Sequence, residues 1–237
     1  SDNRPDNTEN TSKISDKHNG GVDGGDPVNL RTGAFEFTQS DIALPGRGLP
    51  INFTRTYNSM MPEVNARFGN GWNHSYNMYA YEDVAGIIYV SHGGSVMSVF
   101  TPDGSGGFDA PKGVYDTLTF ESGYYVYTTI DKIRYEFTRQ LSGQLFILEN
   151  IRDTFGNATT LGYLVRGNVP LLESITDPSG RVVNFVYYSE TDDDLWDKVN
   201  YLEYAPAGEP AKRVTFSYDI ISSSGDNLVL LTEASAT

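Results

Sequence analysis

The chain contains nearly the same pattern twice, and this internal repeat restricts its fold more than any other feature. Leu148–Leu164 reads LENIRDTFGNATTLGYL, and 24 residues later Leu172–Tyr188 reads LESITDPSGRVVNFVYY. Each copy has an apolar run, a turn with an Asp and a Gly, and a second run that carries a Tyr. A unit this short cannot bury its apolar face alone, so it must add edge to edge onto its neighbours. The repeat therefore predicts consecutive β-hairpins in one growing sheet.

Three positions of the repeat have side chains suited to a fixed structural role. The Asp can accept hydrogen bonds from its own turn, the Gly can adopt a positive φ, and the Tyr lies on the returning strand. A third return strand, RVTFSYD at Arg213–Asp219, carries a Phe and a Tyr in the same order. The predicted structural residues of the two copies are Asp153, Gly156, Tyr163, Asp177, Gly180 and Tyr187.

From residue 26 onward, most of the chain consists of short β-like segments separated by polar or Gly-rich turns. In YYVYTTI and KIRYEFT, apolar and polar side chains alternate, which is typical of a strand in a sheet with two different faces. Turn signals recur about every 8–12 residues, and no long amphipathic helix stands out. Thr191–Val199 fits one helical turn or a loop equally well. The sequence thus predicts an all-β fold in which antiparallel β-hairpin repeats form a curved sheet.

Composition limits the classes of partner and chemistry. Hydrophobic residues make up 38% of the chain, enough for a packed core, and 16 Tyr and 12 Phe favour strands. The net charge of −14 argues against nucleic acid as a partner, because phosphate binding needs clustered Lys and Arg. The absence of Cys excludes disulfides, and no apolar run is long enough to span a membrane. The three histidines lack the spacing of metal ligands, so no metal or cofactor is expected.

Three regions of the chain differ in composition and in the pattern of their apolar residues. Residues 1–25 have too little apolar surface to offset the entropy of ordering, which predicts a disordered or linker segment. Residues 26–101 form a predicted β-rich opening module, and residues 102–237 form the predicted hairpin repeats, continuous with the preceding sheet. The chain starts without Met or a signal peptide, and its final LLTEASAT looks like another repeat beginning. We therefore expect a piece of a longer protein.

The opening module combines tight bends with bulky side chains. In LPGRGLP, two Leu-Pro steps favour extended backbone and the glycines between them allow bends. We expect the Arg of this motif to pair with a carboxylate, with ligand binding as the alternative. In INFTRTY, alternation places an Arg on the face of the large apolar residues, where a buried Arg needs a carboxylate partner. The predicted structural residues of the module are Pro45, Gly46, Arg47, Gly48, Arg55, Tyr57, Gly71 and Trp72.

Three other sequence patterns can each be interpreted either as a functional site or as a structural element. Alternate positions of a strand lie on one face, and here they carry Trp72, His74, Tyr76 and Met78. These side chains could form an aromatic platform for a sugar, although packing in the core is favoured. PDGSGGFD is similar to a calcium-binding nonapeptide, but a single copy favours a Gly-rich loop. HGGS is similar to the oxyanion-hole stretch of some esterases, but without a nucleophile motif a hairpin turn is favoured.

Three motifs of the opening module occur in order: DPVN-x-x-TG, LPGRGLP-x-x-F-x-R-x-YNS and G-x-GW-x-H-x-Y. They resemble the module of unassigned function that opens many RHS proteins. ITDPSGRVVNFVYY and FSYD are similar to the YD repeats of the same family. The resemblance covers the chain from about Asp26 to its C-terminus.

The resemblance implies a structural role. RHS proteins are large secreted or cell-surface proteins whose repeats wind a β-sheet into a hollow shell, which in bacterial toxins encloses a C-terminal toxic polypeptide. The implied partners are the remaining repeats and the C-terminal cargo of the same chain, with a cell-surface glycan as a further candidate. No enzymatic activity is expected, and no catalytic, cofactor-binding or metal-binding residues are assigned. The alternatives are a carbohydrate-binding module of a cell-surface protein and a fragment of a glycoside hydrolase.

Overall fold

The structure is a computed structural model that describes residues 33–237, except 47, 65–66, 95, 142, 168, 193, 207 and 224–225. The predicted linker at residues 1–25 and the predicted structural residue Arg47 therefore lie outside the described residues. Within the described part, the chain forms strands, turns and loops and no helix. In the stretch 191–199, for which a helical turn was one of two expectations, residues 194–197 form turns before the next strand begins at Val199.

The strands are short and follow one another at close intervals. The first nine are β1 (Glu36–Leu44), β2 (Ile51–Asn58), β3 (Trp72–His74), β4 (Met78–Glu82), β5 (Ile88–His92), β6 (Met97–Pro102), β7 (Phe108–Asp109), β8 (Thr117–Glu121) and β9 (Tyr124–Thr128). The others are β10 (Arg134–Phe137), β11 (Arg139–Gln140), β12 (Leu145–Ile147), β13 (Asn150–Arg152), β14 (Ala158–Arg166), β15 (Val169–Thr176), β16 (Val182–Tyr187), β17 (Val199–Tyr204), β18 (Lys212–Ser223) and β19 (Asp226–Ala236).

These strands form three antiparallel sheets. The first has three strands in the order β1-β2-β3, and the second has six in the order β11-β12-β4-β5-β6-β7. The third has ten strands in the order β19-β18-β17-β16-β15-β14-β13-β10-β9-β8, so that from β13 to β19 each strand pairs with the next in sequence. The predicted all-β fold of antiparallel hairpins is confirmed.

Alternation along the strands decides which side chains enter the core. In β2, Ile51, Phe53 and Arg55 are buried, and Asn52 between them is exposed. The ring of Phe53 lies 5.7 Å from Phe68 and 5.2 Å from Phe185, measured between centroids. Because Phe185 belongs to β16, this aromatic cluster packs the three-stranded sheet against the ten-stranded sheet.

The six-stranded sheet draws strands from both predicted regions of the chain. Its central strand β4 pairs on one side with β5 and on the other with β12, where Leu145 lies opposite Tyr81 and Phe146 opposite Ala80. The hairpin β11–β12 thus leaves the run of repeats and completes a sheet begun much earlier in the sequence. The two regions are joined by backbone hydrogen bonds as well as by side-chain packing.

Candidate functional site

The two copies of the repeat form the same five-residue turn. In the first, Asp153 N–H donates to the carbonyl of Asn157 at 3.1 Å, and its Oδ1 accepts the N–H of Phe155 and Asn157, both at 2.9 Å. In the second, Asp177 Oδ1 accepts the N–H of Ser179 and Arg181, both at 2.9 Å. The predicted role of the Asp as the cap of its own turn thus corresponds to a defined hydrogen-bond pattern.

The glycine of each turn has the backbone conformation that the sequence led us to expect. Gly156 has a φ of 83° and Gly180 a φ of 82°, and each donates its N–H to the carbonyl of the turn's Asp. This left-handed region is open to Gly at little cost, whereas a side chain raises its energy. Nothing lies within 4 Å of a Cβ added at either position, so the backbone alone accounts for the preference.

The same turn occurs at two further places that sequence reasoning missed. Asp83 Oδ1 accepts the N–H groups of Ala85 and Ile87 on either side of Gly86, and Asp103 Oδ1 accepts two N–H groups around Gly106. The signal that could have found them is Asp-x-x-Gly, which all four turns share. PDGSGGFD is therefore a capped turn in this structure. Hydrogen bonds from the N–H groups of Ser105 and Gly107 hold the pKa of the Asp103 carboxyl below its usual value.

The tyrosines of the repeat bind backbone at a fixed distance along the chain. The hydroxyl of Tyr163 donates to the carbonyl of Leu148, and that of Tyr187 donates to the carbonyl of Leu172, both at 2.8 Å and both 15 residues back. Burial raises the pKa of both tyrosines, so the hydroxyls stay protonated and remain donors. On the next return strand, Tyr218 donates to the carbonyl of Val199 at 2.7 Å. Each return strand is thus tied to a segment that precedes it.

The LPGRGLP loop lies directly on the two repeat turns. A Cβ added at Gly46 would lie 2.7 Å from Nη2 of Arg181, whose guanidinium pairs with Asp177 at 2.6 Å. A Cβ added at Gly48, whose φ is 84°, would lie 3.1 Å from Oδ2 of Asp153. One glycine therefore approaches each turn, and close approach is the reason for a residue without a side chain. Pro45 is exposed just after β1.

Arg55 is buried and has the carboxylate partner that its burial requires. Its Nε lies 2.5 Å from Oδ2 of Asp41 and its Nη2 lies 2.8 Å from Oδ1, with side-chain exposures of 2% and 3%. The pairing register of β1 and β2 passes from Ser40 to Ile42, so Asp41 occupies a β-bulge that directs its side chain toward Arg55. The sequence predicted a carboxylate partner but could not identify which residue supplies it. A bulge interrupts the alternation of side chains between the two faces of a strand, and that alternation is what would identify the partner.

Aromatic rings enclose the Arg55 guanidinium. Its Cζ lies 4.8 Å from the ring centroid of Trp72 and 4.8 Å from that of Phe216 on β18. Tyr57 lies opposite Trp72 in the β2–β3 pair, with ring centroids 5.5 Å apart. A Cβ added at Gly71 would lie 2.6 Å from the Tyr57 ring, so this glycine admits the ring. These four predicted residues form one contact between the opening module and the ten-stranded sheet.

A loop before β3 makes a second contact that sequence reasoning missed. Asn70 N–H donates to the carbonyl of Val229 at 2.8 Å, and its Oδ1 accepts the Val229 N–H at 3.0 Å. Val199 N–H donates to the carbonyl of Arg67 at 2.9 Å. The loop thus pairs with backbone of β19 and β17, more than a hundred residues away in sequence. No local pattern could reveal such a contact, since it joins irregular backbone to strands.

The predicted aromatic platform for a sugar is not on the surface. His74, Tyr76 and Met78 are buried, and the ring of Trp72 faces the Arg55 guanidinium. Burial lowers the pKa of His74 to about 3, so its imidazole is neutral at physiological pH. Packing in the core, the favoured interpretation of these residues, describes their positions.

The HGGS stretch lies at the joint between β5 and β6. Gly93 has a φ of 72°, and a Cβ there would lie 2.6 Å from the carbonyl oxygen of Ser75. His92 Nε2 lies 2.8 Å from Oγ of Ser98 on the adjacent strand, and burial lowers the pKa of this His. The stretch is a tight hairpin joint, as expected.

The two larger sheets enclose a cavity of about 1400 Å³. Tyr79, Tyr81 and Tyr89 line it from the six-stranded sheet, and Tyr163 and Leu172 from the ten-stranded sheet. Among the described residues, no cluster of three His, Asp or Glu side chains could hold a metal ion. The described part of the chain also contains no helix long and apolar enough to cross a membrane. The cavity is thus one candidate site for a ligand in the described part of the chain.

Comparisons with known proteins find matches to parts of this chain. Residues 25–98 match the family described as Domain of unknown function (DUF6531). The tRNA nuclease WapA of Bacillus subtilis (strain 168) and the tRNA3(Ser)-specific nuclease WapA of Bacillus spizizenii are each 27% identical over 136 residues, or 57% of this chain. The matched part is only 6% of the length of these relatives.

A solved structure has a similar fold. It is the N-terminal domain of the effector protein SpvB from Salmonella typhimurium strain LT2, with a TM-score of 0.56 and 12% identity. The similarity covers 84% of this chain and 99% of the SpvB domain. At this identity the likeness concerns the fold alone.

One expectation from the sequence is corrected by these comparisons. We expected no enzymatic activity, and this is wrong because the curated relatives are named as tRNA nucleases. The composition of the chain gave no sign of that activity. The matched domain, the distant relatives and the SpvB fold together fit an RHS-type protein.

Proposed function

We propose that this chain builds the start of a β-shell in a toxin-related RHS protein that is secreted or displayed on the cell surface. The ten-stranded sheet would be the first part of the shell wall, and the hairpins of β13 to β16 would be YD repeats. The shell would enclose or display a C-terminal polypeptide of the same protein. This proposal extends the RHS-type resemblance to a specific architectural role.

The observation that carries the proposal is the repeated way in which one return strand is fixed to the segment before it. Tyr163 and Tyr187 bond to carbonyls 15 residues back, and each follows an Asp-capped turn. A sheet fixed by such nearest-neighbour contacts can be lengthened by adding further hairpins without changing the earlier ones. Continued addition with the natural twist of strands produces a curved wall.

The opening module supports the proposal by its position on the wall. Its LPGRGLP loop lies on two successive turns through Gly46 and Gly48, and its Asn70 pairs with β19. An exposed row of unpaired backbone groups is an association hazard that proteins cover. A module that contacts turns and an edge strand of the same sheet is suited to close one end of a shell.

We extend the relatives' named activity to the full-length product of the gene, and propose that it cleaves tRNA. The full-length product, incubated with purified tRNA, should release shorter fragments, and a heat-denatured sample should not. Intact tRNA after prolonged incubation with the native protein would contradict the nuclease part of the proposal and leave the shell part to its own test.

Limited proteolysis of the full-length product tests the enclosure of the C-terminal polypeptide. The polypeptide should persist while the native shell is intact, and it should be digested quickly once mild denaturant opens the sheet. Rapid loss of the C-terminal polypeptide from the native protein, with the sheet left whole, would contradict enclosure.

A further inference from the structure

The cavity between the two larger sheets has a wall of tyrosines that the shell proposal does not use. Tyr81 and Tyr89 lie directly opposite each other on β4 and β5, with ring centroids 6.3 Å apart. Tyr79 lies on the same face of β4, two residues before Tyr81. Tyr81 is 41% exposed, so its ring is available to a ligand. Val165, 59% exposed on β14, lies on the facing wall.

Three strands of the walls have their backbone committed to sheet hydrogen bonds on both edges, whereas β11, which carries Gln140, is an edge strand. β4 pairs with β12 and β5, β5 pairs with β4 and β6, and β14 pairs with β13 and β15. Peptides that add as a strand need a free sheet edge, and these three strands present none to the cavity. A ligand that contacts these three strands must therefore be recognised by their side chains.

The side chains of the cavity combine ring faces with polar groups. Asn77, Gln140 and Asp83 are among its lining residues. The amide groups of Asn77 and Gln140 donate to Asn73 and Gly143, and Oδ1 of Asp83 accepts two N–H groups of its own turn. Aromatic faces carry partial negative charge and attract the C–H groups of an apolar molecular face, while amides and hydroxyls donate and accept hydrogen bonds. A saccharide has both features, since its ring presents C–H faces and its rim carries hydroxyl groups.

Charge and size narrow the class of saccharide. Among the described residues that line the cavity, Arg67 is paired with Asp197 at 2.6 Å, and the carboxylate of Asp83 disfavours an acidic sugar. The chain as a whole carries a net charge of −14. The cavity of about 1400 Å³ exceeds the range of about 300–1000 Å³ that is usual for small-molecule sites. We propose that this cavity binds a neutral oligosaccharide through Tyr79, Tyr81 and Tyr89.

This site differs from the platform suggested by the sequence. Trp72 does not line the cavity, and His74 and Tyr76 line it as buried residues, whereas Tyr79, Tyr81 and Tyr89 line it from the six-stranded sheet. In the sequence, this site is indicated by the two alternating tyrosines of YAY in β4 together with the Tyr of β5. The proposal does not depend on whether the sheet continues into a shell.

Calorimetric titration of the 237-residue chain with cellohexaose, maltohexaose and chitohexaose tests this proposal. At least one of these sugars should bind saturably with one site per chain. Tyr81→Ala and Tyr89→Ala should each weaken binding by about tenfold or more, a change measurable as a shift in Kd. The matched control is Tyr115→Ala, because Tyr115 is 78% exposed and does not line the cavity. It should leave the Kd unchanged.

A second variant covers the case in which loss of a ring disturbs the sheet. Val165→Asp places a charge at an exposed position on the facing wall and should weaken binding without removing a tyrosine. Circular dichroism and melting curves confirm that each variant is folded. The proposal is overturned if none of the three sugars binds at millimolar concentration, or if the cavity variants bind as tightly as the Tyr115 control. Binding of reduced, carboxymethylated lactalbumin that depends on Tyr81, with no sugar bound, would also overturn it and assign the cavity to polypeptide.

Discussion

Gly180 shows how one residue can determine a turn. Its φ of 82° lies in the left-handed region, and a Cβ there would meet no atom within 4 Å. Gly is therefore favoured at this position by the energy of the backbone conformation and not by crowding. Gly71 differs, because a Cβ there would contact a Tyr ring. The two kinds of glycine respond differently to substitution, since relaxation of neighbours can relieve crowding but not an unfavourable φ.

Gly180→Val should lower the free energy of unfolding by about 1–3 kcal/mol, because an L side chain disfavours this φ and a β-branched one does so most. Ser179→Ala should change it by less than about 0.5 kcal/mol, since Ser179 is exposed and its N–H still donates to Asp177. Urea denaturation measures both values. Equal midpoints for the two variants would mean that the positive φ is not what selects Gly.

Tyr187 carries the hydrogen bond that fixes the second repeat to its predecessor. Tyr187→Phe should lower the free energy of unfolding by about 1–3 kcal/mol, because the carbonyl of Leu172 loses a buried donor while the ring stays in place. Tyr115→Phe is the control, since that hydroxyl is on an exposed ring. A Tyr187→Phe variant as stable as this control would show that the hydroxyl contributes nothing to the repeat.

Asp177 links the second turn to pH. Burial alone would raise the pKa of its carboxyl, but hydrogen bonds from the backbone and side chain of Arg181 outweigh it and hold the pKa below the ordinary value of 3.8. A carboxyl whose pKa is lower in the folded state stabilises the fold above its unfolded pKa, and that contribution disappears as pH falls through the folded pKa. Stability should thus decline below about pH 4.

Asp177→Asn should reduce this acid dependence, because the variant has no carboxyl to titrate at this position. Its free energy of unfolding should be lower than that of the native chain at pH 7, and the gap should narrow as the pH falls below about 4. Denaturation in urea at several pH values measures both curves. Parallel curves over the acid range would contradict the assigned role of Asp177.

At the scale of the elements, the opening module is joined to the ten-stranded sheet by packing around the Arg55 guanidinium and by close backbone contacts. Arg55 and Asp41 are both almost fully buried, and the Arg55 guanidinium packs against Phe216 of β18. A buried pair is costly to break from one side, whereas replacing both partners with apolar side chains can be nearly neutral. The pair ties β1 to β2, and the cost of breaking it comes from the charged partner that is left buried.

Asp41→Ala should lower the free energy of unfolding by about 3–5 kcal/mol, because it leaves Arg55 buried without its carboxylate. The double variant Asp41→Leu, Arg55→Met should be destabilised less than this single variant. A double-mutant cycle in denaturant measures the coupling between the two positions. Additive effects of the two substitutions would contradict the ion pair as the source of the cost.

The sequence predicted the elements better than it predicted their contacts. Alternation and turn residues identify the hairpins, because both signals lie within a few neighbouring positions. The need of Arg55 for a carboxylate was also clear, but Asp41 could not be chosen, since a bulge redirects it. The contacts of Gly46, Gly48 and Asn70 with distant turns and strands arise only when the whole chain is folded.

At the scale of the whole molecule, the central claim is that the ten-stranded sheet is the first part of a hollow wall. β19 is at one end of the strand order and β8 is at the other, so the sheet is open in the described part of the chain. Hairpins with the same turn and the same tyrosine contact can extend it without altering the opening module.

Cryo-electron microscopy of the full-length product of the gene tests this claim most directly. We expect a hollow particle whose wall is one continuous sheet, with the described fold of residues 33–237 at one end and further hairpins paired beyond β19. The claim is contradicted if the map shows this fold as a separate domain, with the edge at β19 unpaired and no continuous wall around an internal space.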